Sequence, residues 1–311
     1  MNIELVKEIV YVTFKKYPDE IDRFETGLAN FVYKVRMDED VFVIRVSGND
    51  DEFNSTYWIN RLSHLNIKIP EIRFQGELNG NKYLIMNFIE GNDLGNVYHT
   101  LTDHEKKDIA QDISNIQKEV AKLPYGNGYG CVGSYNDNSF KKTWIDVLLS
   151  DLDRSRTWMS GKNIFSISKI DEVEALLKSY SEYFSKVEPV PFLDDITTKN
   201  VLINEGHLSG IIDLDWICFG DYLYFIALTN MSLLSMGADT SYIDYLIENF
   251  ELSSFQKEII LVYTLIFCVI FMSETGMSFN KEKPTEIDTV KVNKLNYYYK
   301  ELYDLLHSRN T

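Results

Sequence analysis

The sequence predicts a two-lobed α+β fold, with a small N-terminal lobe built on an antiparallel sheet and a larger, mainly helical C-terminal lobe. Short β-branched and aromatic runs separated by turns occupy the chain as far as about Asn87. Beyond that point apolar residues recur mostly at helical spacing, and one β-hairpin near residue 200 interrupts the helices. We therefore predict an N-terminal lobe of residues 1–87 and a C-terminal lobe of residues 88–311.

The N-terminal lobe begins with a helix over residues 3–14, whose apolar residues share one face. Strands are predicted over residues 21–25, 31–37 and 41–46, and a turn that contains Gly27 joins the first two. A helix over residues 52–65 follows. The Asn79-Gly80 step then joins strands over residues 72–78 and 82–88, because this dipeptide favours a tight hairpin.

The C-terminal lobe contains helices with clear start signals and apolar faces. Thr102 and Glu105 form a capping box before residues with apolar side chains at spacings of three and four. The other predicted helices cover residues 143–158, 171–187, 223–234, 242–249, 254–274 and 289–306. Residues 128–133 match the pattern G-x-G-x-x-G, but a helix precedes them and no helix follows, so we predict a loop.

Composition limits the partners and the compartment. The formal net charge of −16 argues against nucleic acid as a partner, and it suits a cationic small molecule, although solubility explains it equally well. The three cysteines show no paired spacing and the N-terminus lacks the layout of a signal peptide, which favours a reducing, cytoplasmic location. The apolar run of residues 259–272 is shorter than a bilayer span and predicts a buried helix, so no membrane partner is expected. We expect a monomer or a weak dimer.

Three oxygen-bearing side chains flank the hairpin of residues 201–203 and 208–212. Asn200 precedes its first strand, Asp213 follows its second, and Asp195 lies five residues before Asn200. A hairpin brings its two outer ends together, so we expect these side chains to converge. Phosphoryl transfer needs such a set, because one carboxylate takes the acceptor proton while carboxylate and amide oxygens hold Mg²⁺. Each residue alone is more simply a turn former.

Residues 192–224 resemble the catalytic core of the aminoglycoside phosphotransferase and choline kinase-like small-molecule kinases, whose motif reads H-x-D-x-x-x-x-N, then I-D, then G-D. The resemblance implies a protein kinase-like fold, with Asp195 as catalytic base, Asn200 and Asp213 as Mg²⁺ ligands and Asp221 as a structural acid. Two positions differ from the family pattern. Leu193 replaces the motif histidine that braces the loop, and Phe225 replaces a further Asp.

The same resemblance implies ATP or GTP as the phosphate donor. The Gly27 turn would cover the phosphates, Val43 would contact the base, and Arg45 would contact the α- and β-phosphates from the same strand face. Met86 and Phe88 fall in the hinge that binds the base. The family's helix Glu that orients the phosphate-binding cation corresponds to Ser55, and the nearest acid is Glu52, so this partner of Arg45 stays unassigned.

Three functions remain open at this point. The first is an O-kinase for an aminoglycoside-type or other cationic acceptor, with Asp194 and Asp215 as possible substrate contacts and antibiotic resistance as a possible role. The second is a kinase for choline, a sugar or an amino alcohol. The third is a nucleotide-binding pseudokinase without turnover. Zinc-hydrolase, serine-hydrolase and P-loop functions lack their motifs in this sequence.

Overall fold

A computed structural model describes residues 3–24, 31–47, 54–277 and 286–309. The first strands of the chain are β1 (Glu20–Phe24), β2 (Phe31–Met37), β3 (Asp40–Val46), β4 (Ile72–Leu78) and β5 (Asn81–Asn87). They form one antiparallel sheet in the order β1-β2-β3-β5-β4, as the sequence predicts. Asn79 and Gly80 turn the chain between β4 and β5 with φ of 53° and 76°, the left-handed values that a tight hairpin turn uses.

The two faces of this sheet pack against different parts of the protein. On one face Phe42 and Ile44 are buried against Val6 and Ile9 of helix α1 (Ile3–Phe14) in a small core. The other face belongs to the main core, which contains Met86 and residues of helix α2 (Asn54–Leu62). Because side chains alternate along a strand, Val43 and Arg45 lie on this second face.

Most of the remaining chain is helical. The helices are α3 (Leu94–Val97), α4 (Asp103–Val120), α5 (Trp144–Met159), α6 (Ser168–Leu177), α7 (Ser181–Phe184), α8 (Leu223–Met236), α9 (Ser241–Asn249), α10 (Ser254–Glu274) and α11 (Thr289–Arg309). The capping box of Thr102 and Glu105 starts α4, as predicted. The single helix predicted over residues 171–187 is wrong: a 3₁₀ turn at Lys178–Tyr180 divides it, and it ends before Pro189, which disfavours helical geometry at the residue preceding it.

Helix α10 is both long and apolar. By length and composition alone it could cross a membrane, but 67% of its apolar window is buried inside the protein. It packs against α5, α8 and α11. Core helices of globular proteins can have the same length and composition, so these two properties of α10 are only weak evidence that it spans a membrane.

Two small sheets interrupt the helices. Strands β6 (Asn92–Asp93), β9 (Val201–Asn204) and β10 (His207–Ile211) form one in the order β10-β9-β6. Strands β7 (Gly130–Val132), β8 (Val190–Phe192) and β11 (Ile217–Gly220) form the other in the order β7-β11-β8. The loop predicted over residues 128–133 therefore contains a strand, since β7 forms through pairing with a distant segment.

The second small sheet also pairs two cysteines. Cys131 on β7 lies directly opposite Cys218 on β11, and a disulfide joins them across 87 residues of sequence. The spacing of the three cysteines in the sequence does not indicate this pairing. Cys268 is a free, buried cysteine on α10.

Candidate active site

The β9–β10 hairpin brings the predicted metal ligands to one end. Its tight turn uses Glu205 and Gly206 in left-handed conformation, and a Cβ on Gly206 would lie 2.0 Å from Oε1 of Glu105. At the opposite end the amide of Ile212 donates to the carbonyl oxygen of Asn200 at 3.0 Å. Asn200 and Asp213 therefore leave the hairpin side by side, as the sequence predicts.

The loop before β9 holds Asp195 against this end. Asn200 Nδ2 donates to the backbone carbonyl of Asp195 at 2.8 Å, and Thr197 Oγ1 donates to Asp195 Oδ1 at 3.1 Å. The carboxylate is solvent-exposed, yet protein atoms surround it. Their desolvation, with the nearby charge of Asp213, raises the pKa of Asp195 to about 6. Asp195 is thus charged at neutral pH and basic enough to accept a proton.

Gln117 braces this loop in the absence of the motif histidine. Its side-chain amide spans the backbone of Leu193: Nε2 donates to the carbonyl at 2.7 Å, and Oε1 accepts from the N–H at 3.0 Å. Gln117 is buried on α4, and Leu193 is buried two residues before Asp195. Gln117 is not predictable from the sequence, because nothing near it in the chain indicates a partner 76 residues away.

We expect Gln117→Leu to destabilise the protein and slow turnover. The change leaves a buried N–H and a buried carbonyl of Leu193 without partners, which costs about 2–4 kcal/mol. Thermal unfolding with denaturant titration measures the loss. The control is Gln111→Leu, an exposed site on the same helix, and an equal loss in the two variants would contradict the bracing role.

Arg45 connects the large sheet to the hairpin. In its guanidinium, Nη2 donates to Asp215 Oδ2 at 2.5 Å and Nη1 donates to Asp215 Oδ1 at 3.2 Å. Nη2 also lies 3.5 Å from Asp213 Oδ1. Asp213 adopts a left-handed φ of 63°, which Asp tolerates better than most residues. The Asp213 side chain is exposed, but desolvation by surrounding protein atoms raises its pKa, while the charge of Arg45 opposes that shift.

The structure gives Arg45 an acidic contact that the sequence did not reveal. Asp215, predicted as a possible substrate contact, lies against the guanidinium, and its acceptor role stays a prediction. Ser55, which occupies the family's Glu position, is buried, and its hydroxyl has no partner among the described residues. Glu52 lies outside the described residues. Asp215 is therefore positioned to orient Arg45.

The predicted base-binding residues lie on neighbouring strands. Val43 on β3 is directly opposite Met86 on β5 in the antiparallel register. Phe88 follows β5 directly, and the ammonium group of Lys34 lies over its ring, 4.5 Å from the ring centroid, in a cation–π contact. Gly27 lies outside the described residues. Val43, Arg45 and Met86 lie on the same face of the large sheet, the face that packs against the main core.

Asp194 and Asp221 have distinct surroundings. Asp194 Oδ2 lies 3.4 Å from Cys131 Sγ, and burial with the adjacent charge of Asp195 raises the pKa of Asp194 to about 7. Asp221 is buried and accepts hydrogen bonds from the hydroxyls of Tyr183 and Tyr263 at 2.7 and 2.8 Å. These contacts fit the structural role that the family resemblance implies for Asp221.

The donor set suits a hard cation. Asn200 commits its NH₂ group to Asp195, so its Oδ1 is the side-chain acceptor that remains, and Asp213 contributes a carboxylate beside it. Amide and carboxylate oxygens are the ligands that Mg²⁺ prefers. Asn200 and Asp213 would hold such an ion at the hairpin end, where it would neutralise phosphate charge.

Comparison with known proteins identifies relatives along most of the chain. The phosphotransferase enzyme family matches residues 20–256. A probable ketoamine kinase of Staphylococcus aureus (strain NCTC 8325 / PS 47) is 21% identical over 178 residues, which cover 56% of this chain and 60% of that protein. The matched region thus spans less than two thirds of the length of this relative.

Solved structures of aminoglycoside phosphotransferases share the fold. The structure of APH(4)-Ia matches with a TM-score of 0.71 at 16% identity and covers 99% of each chain. ADP-bound APH(2'')-Ib matches with a TM-score of 0.65 at 16% identity, covering 97% of this chain and 99% of that chain. The gentamicin complex of APH(2'')-IIa matches with a TM-score of 0.68 at 15% identity, covering 97% and 98%. The predicted two-lobed, protein kinase-like α+β fold is confirmed, and the chain belongs to the phosphotransferase enzyme family.

Proposed function

We propose that this protein is a Mg²⁺-dependent phosphotransferase that moves the γ-phosphate of ATP or GTP to a hydroxyl of a small molecule. The observation that carries the proposal is the meeting of Asp195, Asn200, Asp213 and Arg45 at one hairpin end. These groups supply a proton acceptor, a cation cradle and a phosphate-binding cation. The family match and the nucleotide complexes of the structural relatives support the same chemistry.

Asp195 acts on the acceptor in this mechanism. Its carboxylate orients the acceptor hydroxyl and takes the proton as the hydroxyl oxygen forms a bond to the γ-phosphorus. The bond from that phosphorus to the bridging oxygen breaks, and the nucleoside diphosphate leaves with the bond electrons. Thr197 fixes the carboxylate through Oδ1, and the Gln117 brace on Leu193 holds the loop that carries it.

Arg45 and the hairpin end hold the donor. The guanidinium would donate to phosphate oxygens, and Asp215, which accepts from both of its terminal nitrogens, would orient it. Mg²⁺, held by Asn200 and Asp213, would supply neutralisation of the phosphate charge. Val43, Met86 and Phe88 would line the base site, and the Gly27 turn would cover the phosphates.

The acceptor that we propose is a hydroxylated amine of the aminoglycoside type. The net charge of −16 and the carboxylate of Asp194 beside Asp195 suit a cation. Structural relatives form complexes with hygromycin B and gentamicin. The ketoamine kinase relative favours a second candidate, a sugar-derived amine. The remaining alternatives are choline, other sugars and a pseudokinase without turnover.

We also propose that the enzyme is soluble and cytoplasmic, and that it acts as a monomer or weak dimer. Its two lobes would comprise residues 1–87 and 88–311.

Arg45→Gln is expected to raise the KM for the nucleotide about 10- to 100-fold, because charge-assisted hydrogen bonds to the phosphates are lost. Steady-state kinetics at saturating acceptor measure the change. The control is Arg73→Gln, which removes an arginine of the same sheet that pairs with Asp40 at a more exposed position. An unchanged nucleotide KM in the Arg45 variant would remove this residue from the donor site.

The experiment that tests the proposed function is a screen for acceptor-stimulated nucleotide consumption. ATP and GTP are each combined with Mg²⁺ and with aminoglycosides, ketoamines, choline, sugars or macrolides. We expect stimulation by a hydroxylated amine, a phosphorylated acceptor in the mass spectrum, and loss of both with Asp195→Asn. An aminoglycoside product would justify measuring resistance in bacteria that express the chain. No stimulation by any acceptor would favour the pseudokinase.

A further inference from the structure

Two sulfur atoms lie next to the carboxylate of Asp194 in the catalytic loop, and the proposed reaction uses the carboxylate but neither sulfur. Cys131 Sγ, Cys218 Sγ and a carboxylate oxygen of Asp194 all lie within 4.8 Å of one another. Cys131 and Cys218 are disulfide-bonded, and Cys131 Sγ is 3.4 Å from Asp194 Oδ2.

The cysteine pair is connected to the catalytic loop through the small β7-β11-β8 sheet. Cys218 lies on the central strand β11, with Cys131 opposite it on one side and Phe192 on the other. Phe192 ends strand β8, and Leu193, Asp194 and Asp195 follow it in the chain. A change at the cysteine pair therefore reaches the loop by two routes, the strand pairing and the contact with Asp194.

The oxidation state of Cys131 determines whether it can donate a hydrogen bond to Asp194. As a thiol, Cys131 donates an S–H hydrogen bond to the carboxylate, whereas a disulfide sulfur has no proton to donate. Asp194 is half-buried, so losing a donor matters more there than it would in water. The neighbouring carboxylate of Asp195 lies in the same loop.

Exposure makes this pair a better target than the third cysteine. Cys131 is half-buried, whereas Cys218 and Cys268 are fully buried, so Cys131 is the most exposed of the three cysteines. Cys268 is fully buried, and burial raises the pKa of its thiol to about 12, which keeps it unreactive. Disulfides that form in a reducing compartment are usually transient or regulatory, and that is the behaviour expected of this pair in the cytoplasm.

We propose that Cys131 and Cys218 are a reversible thiol–disulfide pair that regulates the phosphotransferase site through Asp194. Oxidation by a low-molecular-weight disulfide proceeds by attack of one cysteine thiolate on that disulfide, which releases one small thiol. The second cysteine thiolate then attacks the mixed disulfide, forms the Cys131–Cys218 bond and releases the second small thiol. The two cysteines lose two protons and two electrons in total, and the small disulfide gains them. The reduced pair holds Asp194 and supports turnover; the oxidised pair lowers it.

The effect on turnover rests on the proposed function, whereas the reversible pairing of Cys131 and Cys218 does not. The test therefore measures the pairing and its effect on turnover separately. The full chain is equilibrated in glutathione buffers of stepped ratio, then unfolded and alkylated so that mass spectrometry counts its thiols. We expect three alkylated cysteines in the reduced chain and one, Cys268, in the oxidised chain, with full return on reduction. Three thiols at every ratio, or binding of one Zn²⁺ per reduced chain that blocks oxidation, would overturn the proposal.

Two measurements report the effect on the loop: hydrogen–deuterium exchange, which needs no turnover, and acceptor-dependent kinetics. Hydrogen–deuterium exchange of residues 190–200 is expected to be faster in the oxidised chain. With an active acceptor, kcat should fall about tenfold on oxidation while the nucleotide KM stays constant, as for a slightly misplaced catalytic group. Cys218→Ala and Cys131→Ser should remove the redox response, and Cys268→Ala should keep it. Identical exchange and identical kcat in both redox states would refute the regulatory role. A parent chain without turnover would refute the proposed function alone, because the thiol count and the exchange data would still judge the pair.

Discussion

Asp195→Asn is expected to lower kcat by about 10²- to 10⁴-fold while the chain still binds nucleotide. The asparagine keeps the size of the side chain but cannot take the acceptor proton. Its effect on folding should be small, because the carboxylate is solvent-exposed and the hydrogen bond from Asn200 goes to the backbone carbonyl of Asp195.

Three measurements separate lost chemistry from lost structure in this variant. Acceptor-dependent kinetics give kcat, calorimetry with a non-hydrolysable ATP analogue gives nucleotide affinity, and thermal unfolding gives stability. The matched control is Asp153→Asn, which removes one negative charge from an exposed position on helix α5. Turnover equal to that of the parent would rule out Asp195 as the base.

Asp213→Ala is expected to abolish the Mg²⁺-dependent part of nucleotide binding. Loss of one of the two proposed metal ligands should weaken affinity in Mg²⁺ by about tenfold or more and leave the weak affinity without Mg²⁺ unchanged. Calorimetric titration with and without Mg²⁺ measures both values.

The backbone at position 213 calls for a second variant. Its left-handed φ of 63° disfavours alanine, so Asp213→Ala could also disturb the turn. Asp213→Asn tolerates this conformation and keeps an amide oxygen but not the charge. We therefore expect it to weaken the Mg²⁺ effect at unchanged stability, whereas the alanine variant should lose both the Mg²⁺ effect and stability. Unchanged affinity in Mg²⁺ for both variants would place the cation elsewhere.

The site was predictable where its geometry is local. Asp195 and Asn200 are five residues apart, and a hairpin with a two-residue turn connects Asn200 to Asp213. Strand propensity and turn chemistry determine such a unit within about twenty residues of sequence. The alternation of Val43 and Arg45 on β3 is local for the same reason, and the observed register of β3 and β5 agrees with it.

The features that the sequence did not reveal depend on partners far apart in the chain. Gln117 meets Leu193 across 76 residues, and Arg45 meets Asp215 across 170. Strand β7 and its disulfide likewise depend on pairing with β11, 87 residues away at the cysteines. Spacing patterns report on neighbours within a helix turn or a hairpin, and they carry no information about which distant strand or side chain will meet a given residue.

The proposed phosphotransferase site requires Asn200, Asp213 and Asp195 to lie together around the transferred phosphate. A crystal structure of the chain with Mg²⁺ and AMP-PNP tests this position directly. We expect Mg²⁺ at about 2.0–2.1 Å from side-chain oxygens of both Asn200 and Asp213, with the Asp195 carboxylate facing the γ-phosphate. A nucleotide whose cation contacts neither residue, or whose γ-phosphate lies away from Asp195, would contradict the proposed phosphotransferase site.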